Sequence, residues 1–280
     1  MTLRKKFHRY LLDHPFVNPY GFNPTRFYQN LTVNSRMKPS FLVIGYAKSG
    51  TTSLFHYLSQ HPQICQPTLK EIQYFAQSYW RGKKWYQSHF PIRKKNCITF
   101  EASPNYIWYP NSLKRIHNEF PNMKLILLLR NPIDRAYSHY NHKRTENRDS
   151  MDTFEKAIDE DQERYDFILK NSETLRAYDI FPAPYLSIGK YSRDLKNCYN
   201  IFTKNQVLVI KSEELKINPA DTLNKIFEFL NLPNAEVNFV KKNVRKYEQM
   251  KLKTRNLLRD YYNSSNQELE NILNIKLDWK

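Results

Sequence analysis

The stretch "FLVIGYAKSGTTSLFHYL", residues 41–58, constrains the fold more than any other part of the chain. "FLVIG" is a short apolar run closed by glycine, the pattern of a buried parallel strand. Polar residues follow, and then Leu54, Phe55 and Leu58 recur at helical spacing. A strand that passes through a tight polar loop into a helix presents the helix's free N–H groups to whatever the loop holds, and anions sit well there. The chain has only five glycines, and two of them, Gly45 and Gly50, bracket this loop. Their spacing matches the nucleoside-triphosphate loop G-x-x-x-x-G-K-[ST]. Yet Thr51 stands where the lysine belongs, and Lys48 lies inside the loop. Ser49, Thr51, Thr52 and Ser53 add hydroxyl donors. A strand-to-helix turn with an ordinary N-cap requires less than this.

The same strand-then-helix grammar continues. "NCITFEASPNYIWY" reads as a strand and a loop, and "SLKRIHNEFP" as an amphipathic helix stopped by Pro121. "KLILLLRNP" is the clearest buried strand, followed by a helix over "IDRAYSHYNHKRTEN". Residues 150–180 read as polar helix, "KYSRDLKNCYNIF" as helix and "QVLVIKSEEL" as a third clear strand. "ADTLNKIFEFLNL" places Leu223, Ile226, Phe227 and Leu230 on one helix face. One or two helices are expected over Met250–Tyr262 and Gln267–Ile275. Alternating strands and helices predict an α/β fold with a mostly parallel central sheet. The domain is expected over residues 39–280, after an irregular basic extension over residues 1–38.

Composition sets outer limits. The formal net charge is +17, from 44 basic and 27 acidic residues among 280. Such a balance suits an anionic partner, or merely solubility. A basic run, Lys241, Lys242, Arg245, Lys246, Lys251, Lys253 and Arg255, fits either a ligand contact or a solvated helix face. Cys65, Cys97 and Cys198 show no zinc-ligand spacing, and their sparse, odd number suits a reducing compartment. No apolar run reaches the length of a membrane span. A cytoplasmic protein is therefore expected. No helix-turn-helix or zinc-finger pattern appears, so a nucleic-acid partner is not expected.

A magnesium-dependent kinase would need an acidic residue at the end of the neighbouring strand. Here "KLILLLRN" ends in Arg130, the opposite charge, and only Glu213 and Glu214, beyond Lys211, offer an alternative metal site. An arginine at the end of a buried strand calls for an anion, and its fork suits phosphate.

"KSGTTSL" together with "LLLRNPIDRAYSHY" resembles the two-part signature of the sulfotransferases that use 3′-phosphoadenosine 5′-phosphosulfate (PAPS). "HPQICQPTLKEIQYF", "EASPNYI" and "YLSIGKYSRDLKNCYNIF" extend the resemblance, which is nearest to the carbohydrate branch that includes the heparan-sulfate enzymes. It implies a P-loop-type three-layer α/β/α fold. It assigns Lys48, Ser49, Gly50, Thr51, Thr52 and Ser53 to the 5′-phosphosulfate, and Arg130 and Ser138, eight residues apart, to the 3′-phosphate. It implies PAPS as co-substrate, no required metal, and a carbohydrate or other hydroxyl- or amine-bearing acceptor. Within "KEIQYF" it assigns the catalytic base to Glu71, which by residue type alone reads more readily as a solvated carboxylate beside Lys70. Lys48 would stabilise the departing phosphate. The chain also departs from the family. Ala102 stands where several heparan-sulfate enzymes have lysine, and Gln73 and Ala76 stand where one subgroup has His and Asp. A magnesium-dependent kinase and a non-catalytic binder of acidic polymers or nucleic acid are the alternative readings.

Overall fold

The computed structural model describes residues 28–29, 31–176, 182–239 and 247–279. Most of the basic extension and Lys241, Lys242, Arg245 and Lys246 lie outside these residues. Five parallel strands form the sheet: β1 Phe41–Gly45, β2 Ile64–Cys65, β3 Ile98–Ala102, β4 Lys124–Leu129 and β5 Val207–Lys211, in the order β2-β3-β1-β4-β5. The central strand β1 is buried at every position, which is why "FLVIG" carries no polar residue. Because side chains alternate across a strand, its residues divide between two cores. Leu42 and Ile44 join Leu125, Leu127 and Leu129 on one face, while Phe41 and Val43 join Ile126, Leu128 and Ile210 on the other.

Helices cover both faces, as the α/β/α expectation required. On the second face lie α1 (Thr51–Leu58) and α9 (Pro219–Leu230), through Leu54, Phe55, Leu58, Leu223, Ile226, Phe227 and Leu230. Between them in sequence come α2 (Gly82–Gln87), α3 (Ser112–Glu119), α4 (Pro132–Thr145), α5 (Phe154–Asp159), α6 (Asp161–Asn171), α7 (Tyr191–Tyr199) and α8 (Ser212–Ile217). Leu113, Ile116, Leu195 and Cys198 of α3 and α7 cover the first face. The C-terminal part is one helix, α10 (Leu252–Leu273), not two. Leu258, Tyr262 and Leu269 are buried along it, and Tyr262 donates to the carbonyl of Leu186 at 2.9 Å, so packing runs unbroken through the polar "NSSNQ" middle.

The order of the strands locates the functional crevice. From β1 the chain leaves toward β2 and β3, whereas from β4 it leaves toward β5. Ligands of open parallel sheets bind outside the carboxyl ends of strands where the connections diverge in this way. The segments at that point begin at Tyr46 and at Arg130.

Candidate active site

A cleft of about 1370 Å³ opens at this switch point. At one end stands the loop after β1. Gly45 has φ +139°, and a Cβ there would lie 2.5 Å from the Leu128 carbonyl oxygen, so only glycine lets β1 pass β4 closely enough. Gly50 caps α1 with φ +93°, and a Cβ would meet Ser212 Oγ at 3.2 Å. Between them Lys48 takes the left-handed conformation (φ 72°), unusual for a residue with a side chain. Lys48, Gly50, Thr51, Thr52 and Ser53 all line the cleft. Ser49 does not: its side chain is buried, and its Oγ has no hydrogen-bond partner among the described residues.

Arg130 enters from β4. Its Nη1 donates to the Lys48 carbonyl at 2.9 Å, which ties the two strand-end segments together. Tyr191 donates to the Arg130 carbonyl at 3.0 Å, and Glu213 accepts from the Asn131 amide at 3.0 Å. One oxygen of Glu213 is thus engaged with the main chain, and the other, Oε2, is buried without a hydrogen-bond partner among the described residues. The described residues hold no grouping of His, Cys, Asp or Glu able to bind a metal ion. Next, Pro132 at the first turn and the Asn131 side chain, which accepts from the Ile133 amide at 3.0 Å, start α4 immediately after the arginine. Asp134, Ser138, Asn141, His142 and Thr145 recur at helical spacing and form its cleft face, whereas Ile133, Ala136 and Tyr140 are buried on the opposite side. Ser138 therefore faces the same space as Arg130.

Glu71 lines the cleft from a different direction. Both Glu71 (φ 61°) and Gln73 (φ 57°) are left-handed, and Ile72 between them is buried in the core. The two kinks turn both flanking side chains into the cleft. Main-chain bonds hold the segment to the end of β3: the Glu71 amide donates to the Ala102 carbonyl at 3.2 Å, and the Gln73 amide donates to Ser103 Oγ at 3.2 Å. Ser103 in turn donates to Glu101 at 2.6 Å. Glu101 is fully buried and also accepts from Tyr106 at 2.6 Å and Tyr86 at 2.7 Å. Burial raises its pKa above the usual carboxylate range, and the three hydroxyl bonds oppose that rise. The Glu71 carboxylate contacts the Lys70 ammonium and remains substantially exposed.

Sequence reasoning did not single out several groups that face this space. Lys143 lies in the field of Glu71 and Glu146, but burial and Arg148 pull its ammonium below the ordinary value. His142 sits 3.3 Å from Glu146. His139 is buried beside the cleft, and its imidazole is driven well below the usual histidine range by burial and then by Arg135. Trp108 Nε1 and Gln73 Oε1 are buried polar atoms without hydrogen-bond partners among the described residues, and both side chains line the cleft. Of these groups, Gln73 was marked in the sequence as a departure from the family pattern, and the helical period of α4 gave a signal for the residues of that helix.

Residues 38–274 match the sulfotransferase domain family. The chain belongs to the sulfotransferase family. Membership puts it in the sulfotransferase enzyme class. Relatives include the membrane-associated sulfotransferase kil1 of Dictyostelium discoideum, 28% identical over 86% of this chain and 66% of that protein. The bifunctional heparan sulfate N-deacetylase/N-sulfotransferase 1 of Xenopus laevis is 31% identical over 84% of this chain. The chain spans 30% of the length of that relative. A solved sulfotransferase from Alicyclobacillus acidocaldarius superposes with a TM-score of 0.72 at 26% identity, covering 86% of this chain and 97% of that one. No helix among the described residues is long and apolar enough to cross a membrane.

Proposed function

We propose that residues 39–280 form a domain that transfers the sulfuryl group of PAPS to a hydroxyl or amine of a carbohydrate or glycoconjugate. The observation that carries this reading is the junction of Arg130 with the Lys48 loop at the divergence of β1 and β4. In this reading, the amides from Lys48 to Ser53 and the hydroxyls of Thr51, Thr52 and Ser53 hold the 5′-phosphosulfate, with Ser49 contributing main chain only, and Arg130 with Ser138 holds the 3′-phosphate. Two observations support the fit. Arg130 has no carboxylate partner among the described residues, so its fork can take an anion. Leu215, Ile217 and Phe239 add apolar lining to the cleft, which suits a planar base.

Transfer would run in line. The acceptor oxygen or nitrogen attacks sulfur as Glu71 takes its proton, and the bond from sulfur to the bridging oxygen breaks. That electron pair goes to the departing phosphate, where Lys48 offsets the developing charge. The substitution of Gln73, Ala76 and Ala102 for polar or charged family residues argues for an acceptor unlike that of the heparan-sulfate enzymes. Cytoplasmic action belongs to the same proposal, and cell fractionation tests it.

Calorimetry with PAP (the desulfated product), AMP and ATP tests the donor. The 3′-phosphate should add roughly tenfold or more in affinity, since a charged hydrogen bond contributes about 1.5–3 kcal/mol. Equal affinity for PAP and AMP would refute the reading. Incubation with radiolabelled PAPS and a panel of sugars, glycolipids and small hydroxyl compounds then identifies the acceptor.

A further inference from the structure

Cys65 ends the edge strand β2, and Cys97 immediately precedes β3. Cys65 is in register with Thr99, two residues beyond Cys97. The two-residue period of a strand therefore puts Cys97 on the face that Cys65 occupies, as its diagonal neighbour. Their Sγ atoms lie 2.7 Å apart, although 32 residues separate them in sequence. Both residues are partly exposed thiols, whereas Cys198 is buried. We propose that Cys65 and Cys97 form a reversible dithiol–disulfide pair that fastens the edge strand β2 to β3 when the protein meets a small-molecule disulfide such as oxidised glutathione.

The exchange balances in two steps. The Cys97 thiolate attacks one sulfur of the oxidised glutathione, forming a mixed disulfide and releasing one glutathione thiolate. The Cys65 thiolate then attacks the Cys97 sulfur of that mixed disulfide and releases the second. Two protein thiols are oxidised to one disulfide, and one glutathione disulfide is reduced to two thiols. Burial and the hydrogen bond with Cys97 push the Cys65 thiol up to about 11, so Cys65 suits the second, resolving step. The closed segment includes Lys70, Glu71 and Gln73, so the bond would also anchor the base of the loop that reaches the cleft. The pair itself stands on the strand register and does not depend on the proposed function.

The test treats the purified full chain with oxidised glutathione. Thiols are then counted in denaturant, and the intact mass and a non-reduced peptide digest are measured. Three thiols should fall to one, with a mass loss of two hydrogen atoms and a cross-linked peptide pair holding Cys65 and Cys97. The melting temperature should rise by roughly 5 °C or more, because the bond closes a long loop in the unfolded chain. A reducing agent should reverse every change, and Cys97→Ser should abolish the cross-link and the melting shift. Three remaining thiols, stable glutathione adducts on Cys65 or Cys97, or a link between two chains would each overturn the proposal.

Discussion

The Lys48 end of the cleft is built on one contiguous stretch of chain, which also presents Thr51, Thr52 and Ser53. Gly45, the left-handed Lys48 and the amides at the start of α1 follow one another without a break, and Arg130 binds that backbone directly. Around Glu71 the wall is made of side chains on a loop. That loop is held by bonds to Ala102 and Ser103 and, through Ser103, by the buried Glu101. A backbone site carries much the same ligand whichever side chains surround it. A site on a braced loop changes with single substitutions, and the departures from the heparan-sulfate pattern, at Gln73, Ala76 and Ala102, lie on or beside the bracing.

The contrast breaks if a change at the Glu71 end alters PAP affinity as well as turnover. Glu71→Gln should lower turnover by about 10²–10⁴-fold, the usual contribution of a general base, with PAP affinity unchanged in calorimetry. Lys48→Ala should lower turnover by about 10²–10³-fold. Glu101→Ala strands three buried hydroxyls and should cost about 3 kcal/mol in urea unfolding, with a further fall in turnover because Glu71 loses its brace. Arg130→Ala should erase the roughly tenfold preference for PAP over AMP, and retention of that preference would move the 3′-phosphate elsewhere.

The smallest expected effect concerns pH. His139 is neutral in the folded protein because burial, reinforced by Arg135, depresses it well below the ordinary 6.5. The unfolded chain takes up a proton near pH 6.5, so His139's contribution to stability is complete above that value and is lost as pH falls toward the folded one. His139→Gln should flatten the stability of the unliganded protein below pH 6.5 by at most about 1.4 kcal/mol per pH unit. An unchanged slope would show that the imidazole is not desolvated.

Legibility in the sequence followed locality. β1, β4 and β5 were readable as apolar runs, and α9 from Leu223, Ile226, Phe227 and Leu230. The two-residue β2 was not readable, since so short a strand has no period and exists through its pairing with β3. The polar "NSSNQ" segment left open whether the C-terminal part held one helix or two, and burial of Leu258, Tyr262 and Leu269 made it one. Glu101 was visible only as part of the "EASPNYI" segment that the resemblance covers, with no role attached to it. Nothing nearby in sequence foretold that Tyr86, fifteen residues away, would donate to it.

By itself the sequence determined the family, the α/β class and the loop around Lys48, because each rests on contiguous residues whose spacing dictates backbone geometry. Tertiary structure decided which side chains meet across the cleft: Arg130 with the Lys48 carbonyl, Ser138 on the cleft face of α4, and the Glu71 loop with Glu101. The resemblance had already grouped Arg130 and Ser138 with the Lys48 loop, but the bonds that bring these residues and the Glu71 brace together depend on the strand order and on buried contacts between residues far apart in the chain, which spacing does not encode.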